Sequence, residues 1–241
     1  MTAFDMIAFD ADDTLWHNES FYHEAIERFE ALLAPYHSAG QAERKLRQIE
    51  LDNLGYYGYG IKGFALSLVE AAIEISGGHI RGAELRQVID IAKGMLSARV
   101  RLLEHAEETV ASLAGSYPLM LITKGDLFEQ EAKVARSGLK AYFTHVQIVS
   151  DKTRDSYAAI LARHHVRPDR FLMVGNSLRS DILPVVALGG TAVYVPNALT
   201  WAHENVPVPD QDRGKYIELE HLGMVPALIE ELDARGSRRK T

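Results

Sequence analysis

The chain has 241 residues, 47% hydrophobic and 24% charged, which is enough apolar material for one large core or for a core domain with a smaller second domain. It contains no cysteine, which excludes disulfides, thiolate metal sites and cysteine nucleophiles and is consistent with a cytoplasmic location. The net charge of -7 argues against a broad basic surface, and the first ten residues show no signal peptide or membrane anchor, so neither a nucleic-acid nor a membrane partner is expected.

The first predicted element is a short buried strand at residues 6–9, which runs directly into Asp10 and Asp12. Alternation along an extended chain sends these two side chains to the same side. Carboxylates so close repel each other unless a cation or a proton lies between them, and Mg²⁺ is a hard cation that carboxylates and substrate phosphate hold. An aspartate can also attack phosphorus to form an aspartyl-phosphate, with Asp12 exchanging the protons. The alternative is a strand followed by an Asx-rich turn.

The stretch from residue 18 to residue 100 has a helical pattern. Apolar residues recur at helical spacing over 22–36, 61–73 and 85–96, and a weaker pattern covers 41–54. No convincing strand interrupts these stretches. We therefore predict a smaller, all-helical domain at 18–100.

An aromatic and glycine-rich connection at residues 54–63 joins two of these helices. Glycines permit close approach of a ligand, and tyrosines can line a pocket. One hypothesis is that Tyr57, Tyr59 or Lys62 contacts a leaving group. The alternative is that the tyrosines pack the helix junction and Lys62 is solvated.

After residue 104, helices and short apolar strands alternate, and residues 191–195 form the fifth predicted strand. Such alternation predicts a parallel sheet with helices on both faces, and right-handed crossovers place all carboxyl ends of the strands along one edge. The predicted fold class is therefore α/β, a Rossmann-like doubly wound parallel sheet at residues 1–17 and 101–241. Ligands of open sheets bind along that edge.

Polar residues follow the second predicted strand, which covers residues 118–122. The sequence Thr123-Lys124-Gly125 comes directly after it and opens a helical pattern. A hydroxyl group and free backbone N–H groups at such a junction suit phosphate oxygens. We therefore expect Thr123, Lys124 and Gly125 to bind substrate.

The third and fourth predicted strands, residues 145–149 and 171–174, are also followed by polar side chains. Lys152 comes after the third strand, at a place where charge compensation is needed. A glycine turn with Asn176 and, five residues later, Asp181 follows the fourth. Amide and carboxylate oxygens are candidate metal ligands, although Asn176 alone also suits a helix cap.

In this order the four segments resemble the motifs of the haloacid dehalogenase superfamily of aspartate-nucleophile hydrolases, and its phosphatase branch most closely. The matching residues are Asp10-Ala11-Asp12-Asp13-Thr14, Thr123, Lys152, and Gly175-Asn176 through Asp181. The resemblance covers the whole chain. It implies that the helical domain is a cap that closes over the site and selects the substrate.

The resemblance also implies roles for individual residues. Asp10 would be the nucleophile and a magnesium ligand, and Asp12 would be the general acid and base and ligate the metal through its backbone carbonyl. Thr123 would hold the phosphoryl group, and Lys152 would neutralise the charge shared by Asp10 and the phosphoryl oxygens. Asn176 and Asp181 would complete the metal site.

One departure concerns Asn176, where the family often carries Asp, so one negative charge near Mg²⁺ is missing. An amide oxygen still coordinates a hard cation, with weaker electrostatic attraction. Because some dehalogenases of the family have non-acidic residues there, this departure keeps a metal-free 2-haloacid dehalogenase open as an alternative.

The sequence thus favours a magnesium-dependent phosphatase that hydrolyses a small phosphorylated metabolite through an aspartyl-phosphate on Asp10. A phosphomutase would use the same aspartate. Asp12 argues against the dehalogenase, because halide departure needs no proton donor whereas cleavage of a phosphate ester usually does. A non-catalytic binding module is a further alternative, but it would have lost the nucleophile or Lys152.

Overall fold

The computed structural model describes residues 2–38, 40–201, 203–204 and 206–238 of the chain, with side chains described up to residue 235. The chain forms two compact units. The sheet unit consists of Met1–Glu19, Val100–Lys124 and Lys133–Thr241. The helical unit consists of Ser20–Arg99 and Gly125–Ala132.

The sheet unit is built on a parallel sheet. Its strands are β1 Met6–Phe9, β2 Leu119–Lys124, β3 His145–Val149, β4 Phe171–Gly175, β5 Thr191–Tyr194 and β6 Ile217–Glu218. They lie in the order β3-β2-β1-β4-β5-β6, and all neighbours are parallel. The predicted α/β class is confirmed. The sequence analysis missed β6, because two residues are too short for an apolar pattern to be recognised.

Helices cover both faces of this sheet. They are α5 Ala106–Ala114, α7 Arg154–Arg163, α8 Leu183–Leu188 and α9 Val225–Arg238. A further helix, α6 Leu127–Arg136, is divided between the two units and belongs to the sheet unit from Lys133 onward. Ile7 and Phe9 of β1 pack in a cluster with residues of α5 and α9, whereas Met6 and Ala8 pack in a second cluster with α7 and α8. Burial on both faces explains why the strands read as continuous apolar runs. Each large apolar side chain removed from water contributes about 1.5–3 kcal/mol.

The helical unit contains α1 Glu19–Leu33, α2 Gln41–Tyr57, α3 Ile61–Ile75 and α4 Gly82–Ser97, of which α1 begins at the last residue of a sheet-unit segment. Their facing stripes form one core, whose largest fully buried side chains are Phe29, Leu33, Leu46 and Leu68. The weak pattern at 41–54 is therefore a real helix. Among the residues that the structure describes, no helix is both long enough and apolar enough to cross a membrane.

The segment Gly125–Ala132 groups with the helical unit, although its position in the sequence placed it in the core at 101–241. The reason is its contacts with the first turn of α3. The Glu129 carboxylate accepts a hydrogen bond from the backbone N–H of Ile61 at 2.8 Å, and Asp126 pairs with Lys62 at 2.9 Å. The first N–H groups of a helix have no partner within it, so Glu129 satisfies a donor of α3.

A carboxylate near the start of α4 ties the helical unit together. Glu84 accepts hydrogen bonds from the Arg81 guanidinium at 2.7 Å, the Arg81 backbone N–H at 2.9 Å and the Tyr36 hydroxyl at 2.7 Å. The bonds from Arg81, followed by the one from Tyr36, lower the pKa of Glu84 to about 2. The contacts in the folded unit therefore stabilise the ionised form of Glu84.

We expect Glu84→Gln to remove part of the acid sensitivity of the protein. The ordinary pKa of a glutamate side chain is 4.5, whereas the pKa of Glu84 in the folded chain is about 2. The contribution of Glu84 to stability is therefore complete above pH 4.5 and is lost as the pH falls toward 2. Urea unfolding followed by circular dichroism at a series of pH values measures this loss. The stability difference between wild type and E84Q should shrink as the pH falls.

The matched control is Asp90→Asn, which breaks the exposed Arg86–Asp90 pair on the same helix. Exposed pairs of this kind contribute about 0.3–0.5 kcal/mol. D90N should therefore follow the wild-type pH profile closely. A stability difference between wild type and E84Q that does not change with pH contradicts the interpretation.

Candidate active site

Four sequence-predicted residues lie at the carboxyl ends of neighbouring strands. Asp10 follows β1, and its backbone N–H donates to the carbonyl of Val174 in β4 at 2.9 Å. Thr123 lies within β2 and is buried, Lys152 follows β3, and Asn176 follows β4. Strand order reverses between β1 and β4, which is where ligands of open α/β sheets bind.

Lys152 brings two of the predicted carboxylates together. Its Nζ contacts Oδ1 of Asp10 and lies 2.8 Å from Oδ1 of Asp181. The exposed fractions are 4% for Lys152, 6% for Asp10 and 1% for Asp181. Charges this deeply buried are tolerated only when they are paired and hydrogen-bonded. Two carboxyl groups therefore share one buried ammonium group.

The pKa values of the cluster follow from this sharing. Burial alone would lower the pKa of Lys152, but the charges of Asp10 and Asp181 outweigh it and raise that pKa above its usual range. Burial and the neighbouring Asp10 charge raise the pKa of Asp181, and Lys152 opposes both. The ammonium of Lys152 is thus a fixed positive charge beside Asp10.

The other carboxylate oxygen of Asp10 and the amide oxygen of Asn176 both lie beside the hydroxyl group of Thr14. Thr14 Oγ1 lies 2.8 Å from Oδ2 of Asp10 and 3.2 Å from Oδ1 of Asn176. Both oxygens therefore converge on one point at the ends of β1 and β4. The sequence analysis gave Thr14 no separate role, although it belongs to the first matching motif.

The position of Asp181 depends on Gly175 and on the turn that follows it. Ser177 precedes one π-helical turn, Leu178–Ile182, and its backbone N–H donates to Oδ2 of Asp181 at 3.0 Å. A Cβ added at Gly175 would lie 2.4 Å from Cγ and from Oδ2 of Asp181. Glycine is therefore required here because the Asp181 carboxylate occupies the space of a side chain.

Asp12 has different neighbours. Its Oδ1 accepts a hydrogen bond from Nε1 of Trp16 at 2.7 Å, and Lys133 Nζ lies 3.1 Å from both carboxylate oxygens. Lys133 also donates to Oδ1 of Asn18 at 2.7 Å. The carboxylate is thus held by donors from its own loop and from α6. Its predicted role in proton exchange stays a prediction.

The next residue, Asp13, fixes the end of the same loop. It has a φ of 62°, and its carboxylate accepts hydrogen bonds from the backbone N–H groups of Asn18 and Glu19, where α1 begins. Burial raises the pKa of Asp13 to about 7, against the lowering effect of these two bonds. Asp13 therefore serves as a cap for the start of α1.

Two further predicted binding residues, Lys124 and Gly125, directly follow Thr123 in the sequence. Lys124 Nζ pairs with the carboxylate of Glu204 and donates to the Ser180 hydroxyl at 3.0 Å. Gly125 belongs to the helical unit and has a φ of 129°, a conformation that favours glycine. The predicted binding of substrate by these two residues is not tested by their position.

Lys62, Tyr57 and Tyr59 also lie in the helical unit. Lys62 pairs with Asp126, and its Nζ lies 5.3 Å from the ring centroid of Phe128. Tyr57 is the last residue of α2 and is exposed, whereas Tyr59 is partly buried. The lysine thus has protein partners, and its predicted contact with a leaving group stays a prediction.

Three side chains at the site were missed by the sequence analysis: Tyr157, Lys133 and Glu204. Tyr157 lies on α7 and is fully buried, and its burial together with the charges of Asp181 and Asp10 raises the pKa of its hydroxyl. Its spacing from Ile160 and Leu161 is that of an ordinary core position. One sequence gives no signal that separates these side chains from packing or surface residues.

The donor set at the strand ends fits a hard divalent cation. Among the residues that the structure describes, no three His, Cys, Asp or Glu side chains are grouped to hold a metal ion. Two carboxylates and an amide oxygen are nevertheless oxygen ligands of the kind that Mg²⁺ takes together with water and phosphate. Oxygens of Asp10 and Asn176 converge on Thr14, and Asp181 contacts the same Lys152 as Asp10, so these oxygen donors lie close together.

Comparison with known proteins places this chain in a family. A family model described as a hydrolase, haloacid dehalogenase-like, matches residues 4–189. A haloacid dehalogenase-like family hydrolase from Xanthomonas campestris is 37% identical, with a TM-score of 0.88 over 99% of this chain and 95% of that one. The chain therefore belongs to the haloacid dehalogenase-like hydrolases.

Two more distant structures share the fold. The 2-haloacid dehalogenase from Pseudomonas syringae pv. Tomato DC3000 is 20% identical, with a TM-score of 0.64 over 95% of this chain and 99% of that chain. The HAD-hydrolase YfnB from Bacillus subtilis, solved bound to magnesium, is 15% identical, with a TM-score of 0.66 over 94% and 99%. A search of curated proteins gave no match.

We expect Gly175→Ala to displace the Asp181 carboxylate and to destabilise the sheet unit. A side chain forced into a packed site typically costs about 1–3 kcal/mol. Urea unfolding of the variant measures the loss.

The control is Gly55→Ala in α2, where an added Cβ meets nothing within 4 Å. Replacing a helical glycine by alanine stabilises a protein by roughly 0.5–1 kcal/mol. G55A should therefore be as stable as wild type or more so. A G175A protein with wild-type stability would show that Asp181 does not need the space beside Gly175.

Proposed function

We propose that the protein is a magnesium-dependent phosphatase that hydrolyses a small phosphorylated metabolite through a phosphoryl group on Asp10. The observation that carries this proposal is the contact of Asp10 with the buried ammonium of Lys152. An isolated carboxylate would repel negatively charged phosphoryl oxygens. A fixed cation beside the carboxylate reduces this repulsion, so the phosphoryl group can approach. The proposal makes Thr123, buried at the end of β2, the contact of the phosphoryl group.

The first step is a displacement at phosphorus. A carboxylate oxygen of Asp10 attacks, the bond from phosphorus to the ester oxygen breaks, and the leaving alkoxide takes a proton from the Asp12 carboxyl group. In the second step Asp12, now a carboxylate, takes a proton from water. The resulting hydroxide attacks the phosphoryl group on Asp10, which releases inorganic phosphate and restores both carboxyl groups to their starting forms.

The residues that would hold Mg²⁺ are Asp10, Asn176 and Asp181 through their side chains and Asp12 through its carbonyl oxygen. When bound, Mg²⁺ supplies charge neutralisation for the phosphoryl oxygens. Lys152 supplies a second positive charge at Asp10, and Thr14 orients the carboxylate that attacks. The amide at Asn176 removes one negative charge relative to an all-carboxylate site, so Mg²⁺ binding should be weaker than in such a site.

A 2-haloacid dehalogenase is the second candidate, and Asn176 is the observation that favours it. In that reaction Asp10 attacks carbon, halide leaves and no metal takes part. Asp12 counts against this candidate because halide needs no proton. A phosphomutase differs from the phosphatase only in protecting the phosphorylated aspartate from water.

We expect purified protein to release phosphate from a generic aryl phosphate in the presence of Mg²⁺ and to lose this activity in EDTA. Asp10→Asn should lower the rate on the order of 1,000-fold or more, because the nucleophile is removed. A phosphate assay measures both effects, and a screen of phosphorylated metabolites then identifies the preferred substrate.

The control variant is Asp169→Asn, which removes the partner of Arg167 from an exposed ion pair. D169N should keep the wild-type rate. Chloride release from a 2-haloacid without metal would favour the dehalogenase, and inertness on every substrate would favour a binding module. Full phosphatase activity in D10N contradicts the proposed role of Asp10.

A further inference from the structure

A second buried charge cluster lies beside the candidate site and is centred on Glu204. This residue follows β5 and is 7% exposed. Its Oε2 accepts hydrogen bonds from the hydroxyl groups of Ser177 and Ser180, each at 2.5 Å, and its Oε1 pairs with Lys124 Nζ. Lys124 also donates to the Ser180 hydroxyl at 3.0 Å. Each oxygen of the Glu204 carboxylate is therefore used.

The cluster connects the two halves of the candidate site. Ser177 and Ser180 belong to the turn that presents Asn176 and Asp181, and each lies next to one of them in the sequence. Lys124 is the residue directly after Thr123. One carboxylate thus joins the end of β2, which carries the predicted phosphate contact, to the turn after β4, which carries two predicted metal ligands.

The geometry of the turn depends on this carboxylate. Ser177 Oγ donates to Glu204 and at the same time accepts the backbone N–H of Ser180 at 2.9 Å. The Ser177 backbone N–H in turn donates to the Asp181 carboxylate at 3.0 Å. Glu204 therefore sets the orientation of the Ser177 side chain, and Ser177 holds both the turn and Asp181.

The charge state of the cluster supports a fixed geometry. Burial alone would raise the pKa of Glu204, but the positive charge of Lys124 and the hydrogen bonds from Lys124, Ser177 and Ser180 lower it to about 2. The carboxylate is therefore ionised at neutral pH. Removing one member of a buried, hydrogen-bonded charge pair leaves the other without compensation, which is far more costly than loss of an exposed pair.

We infer that Glu204 is a positioning residue that orients the Asn176–Asp181 turn for the divalent cation, and that Lys124 is its charge partner instead of a phosphate ligand. This inference rests on the proposed function, because it assigns Glu204 a role in the magnesium site named there. Residues that hold metal ligands in place from outside the coordination shell typically change metal affinity by about 10- to 100-fold when replaced.

The experiment is thermal unfolding of the full chain titrated with MgCl₂, without substrate. A cation that binds the folded state raises the unfolding midpoint, and the concentration dependence gives its apparent affinity. Glu204→Gln should shift this dependence to about 10- to 100-fold higher Mg²⁺. Ser180→Ala, which removes one hydroxyl group from the cluster, should shift it less and in the same direction.

The matched control is Asp5→Asn, which breaks the Asp5–Arg170 ion pair of the same unit ahead of β1. D5N should show the wild-type response to Mg²⁺. If E204Q does not fold, the S180A titration decides the question, because one lost hydroxyl group leaves the Lys124–Glu204 pair in place.

E204Q or S180A could unfold at a lower temperature without Mg²⁺ and yet show the wild-type dependence on Mg²⁺. That result would show that the Glu204 cluster only stabilises the fold, and it would overturn the inference. A wild-type midpoint that does not respond to Mg²⁺ would also overturn it. Phosphate release by wild type, measured in parallel, separates that failure from failure of the proposed function itself. A shift in both variants with D5N unchanged supports the inference.

Discussion

The candidate site depends on one buried ammonium group, that of Lys152, placed between the carboxylates of Asp10 and Asp181. Without it, two carboxylates with almost no access to water would repel each other, and their burial would require protonation. With it, Asp10 is kept in place by an opposite charge. The same arrangement gathers two carboxyl groups near the amide oxygen of Asn176, which is the structural reason for expecting a divalent cation there.

The fold holds these charged side chains on rigid elements. Because the strands are parallel, their carboxyl ends meet along one edge, so residues distant in the sequence are positioned by rigid elements. The backbone N–H of Asp10 is bonded to β4, and the Asp181 carboxylate lies in space that only Gly175 leaves open. The helical unit has its own core, so the chain separates the element that holds the charges from the element that we expect to select the substrate.

The sheet and the convergence of charged residues were predictable because apolar runs and the rule for parallel strands need only local sequence. Asp10 was found because it stands directly after such a run, and Lys152 because it follows one within three residues. Glu204 was not, because its importance arises from contacts with residues more than 20 positions away. Lys124 was predicted to bind substrate from its position beside Thr123, and only the three-dimensional structure shows the carboxylate that pairs with it. A pattern of neighbouring residues in the sequence does not show which distant side chains contact each other.

The most direct test of the account is detection of the covalent intermediate. Protein mixed with a slowly hydrolysed phosphate ester and Mg²⁺, quenched in acid within milliseconds and digested with protease, is analysed by mass spectrometry. The account predicts one added phosphoryl group on the peptide that contains Asp10, absent from the Asp10→Asn protein. Rapid turnover with no phosphoryl group on that peptide, or with the group on another residue, would contradict it.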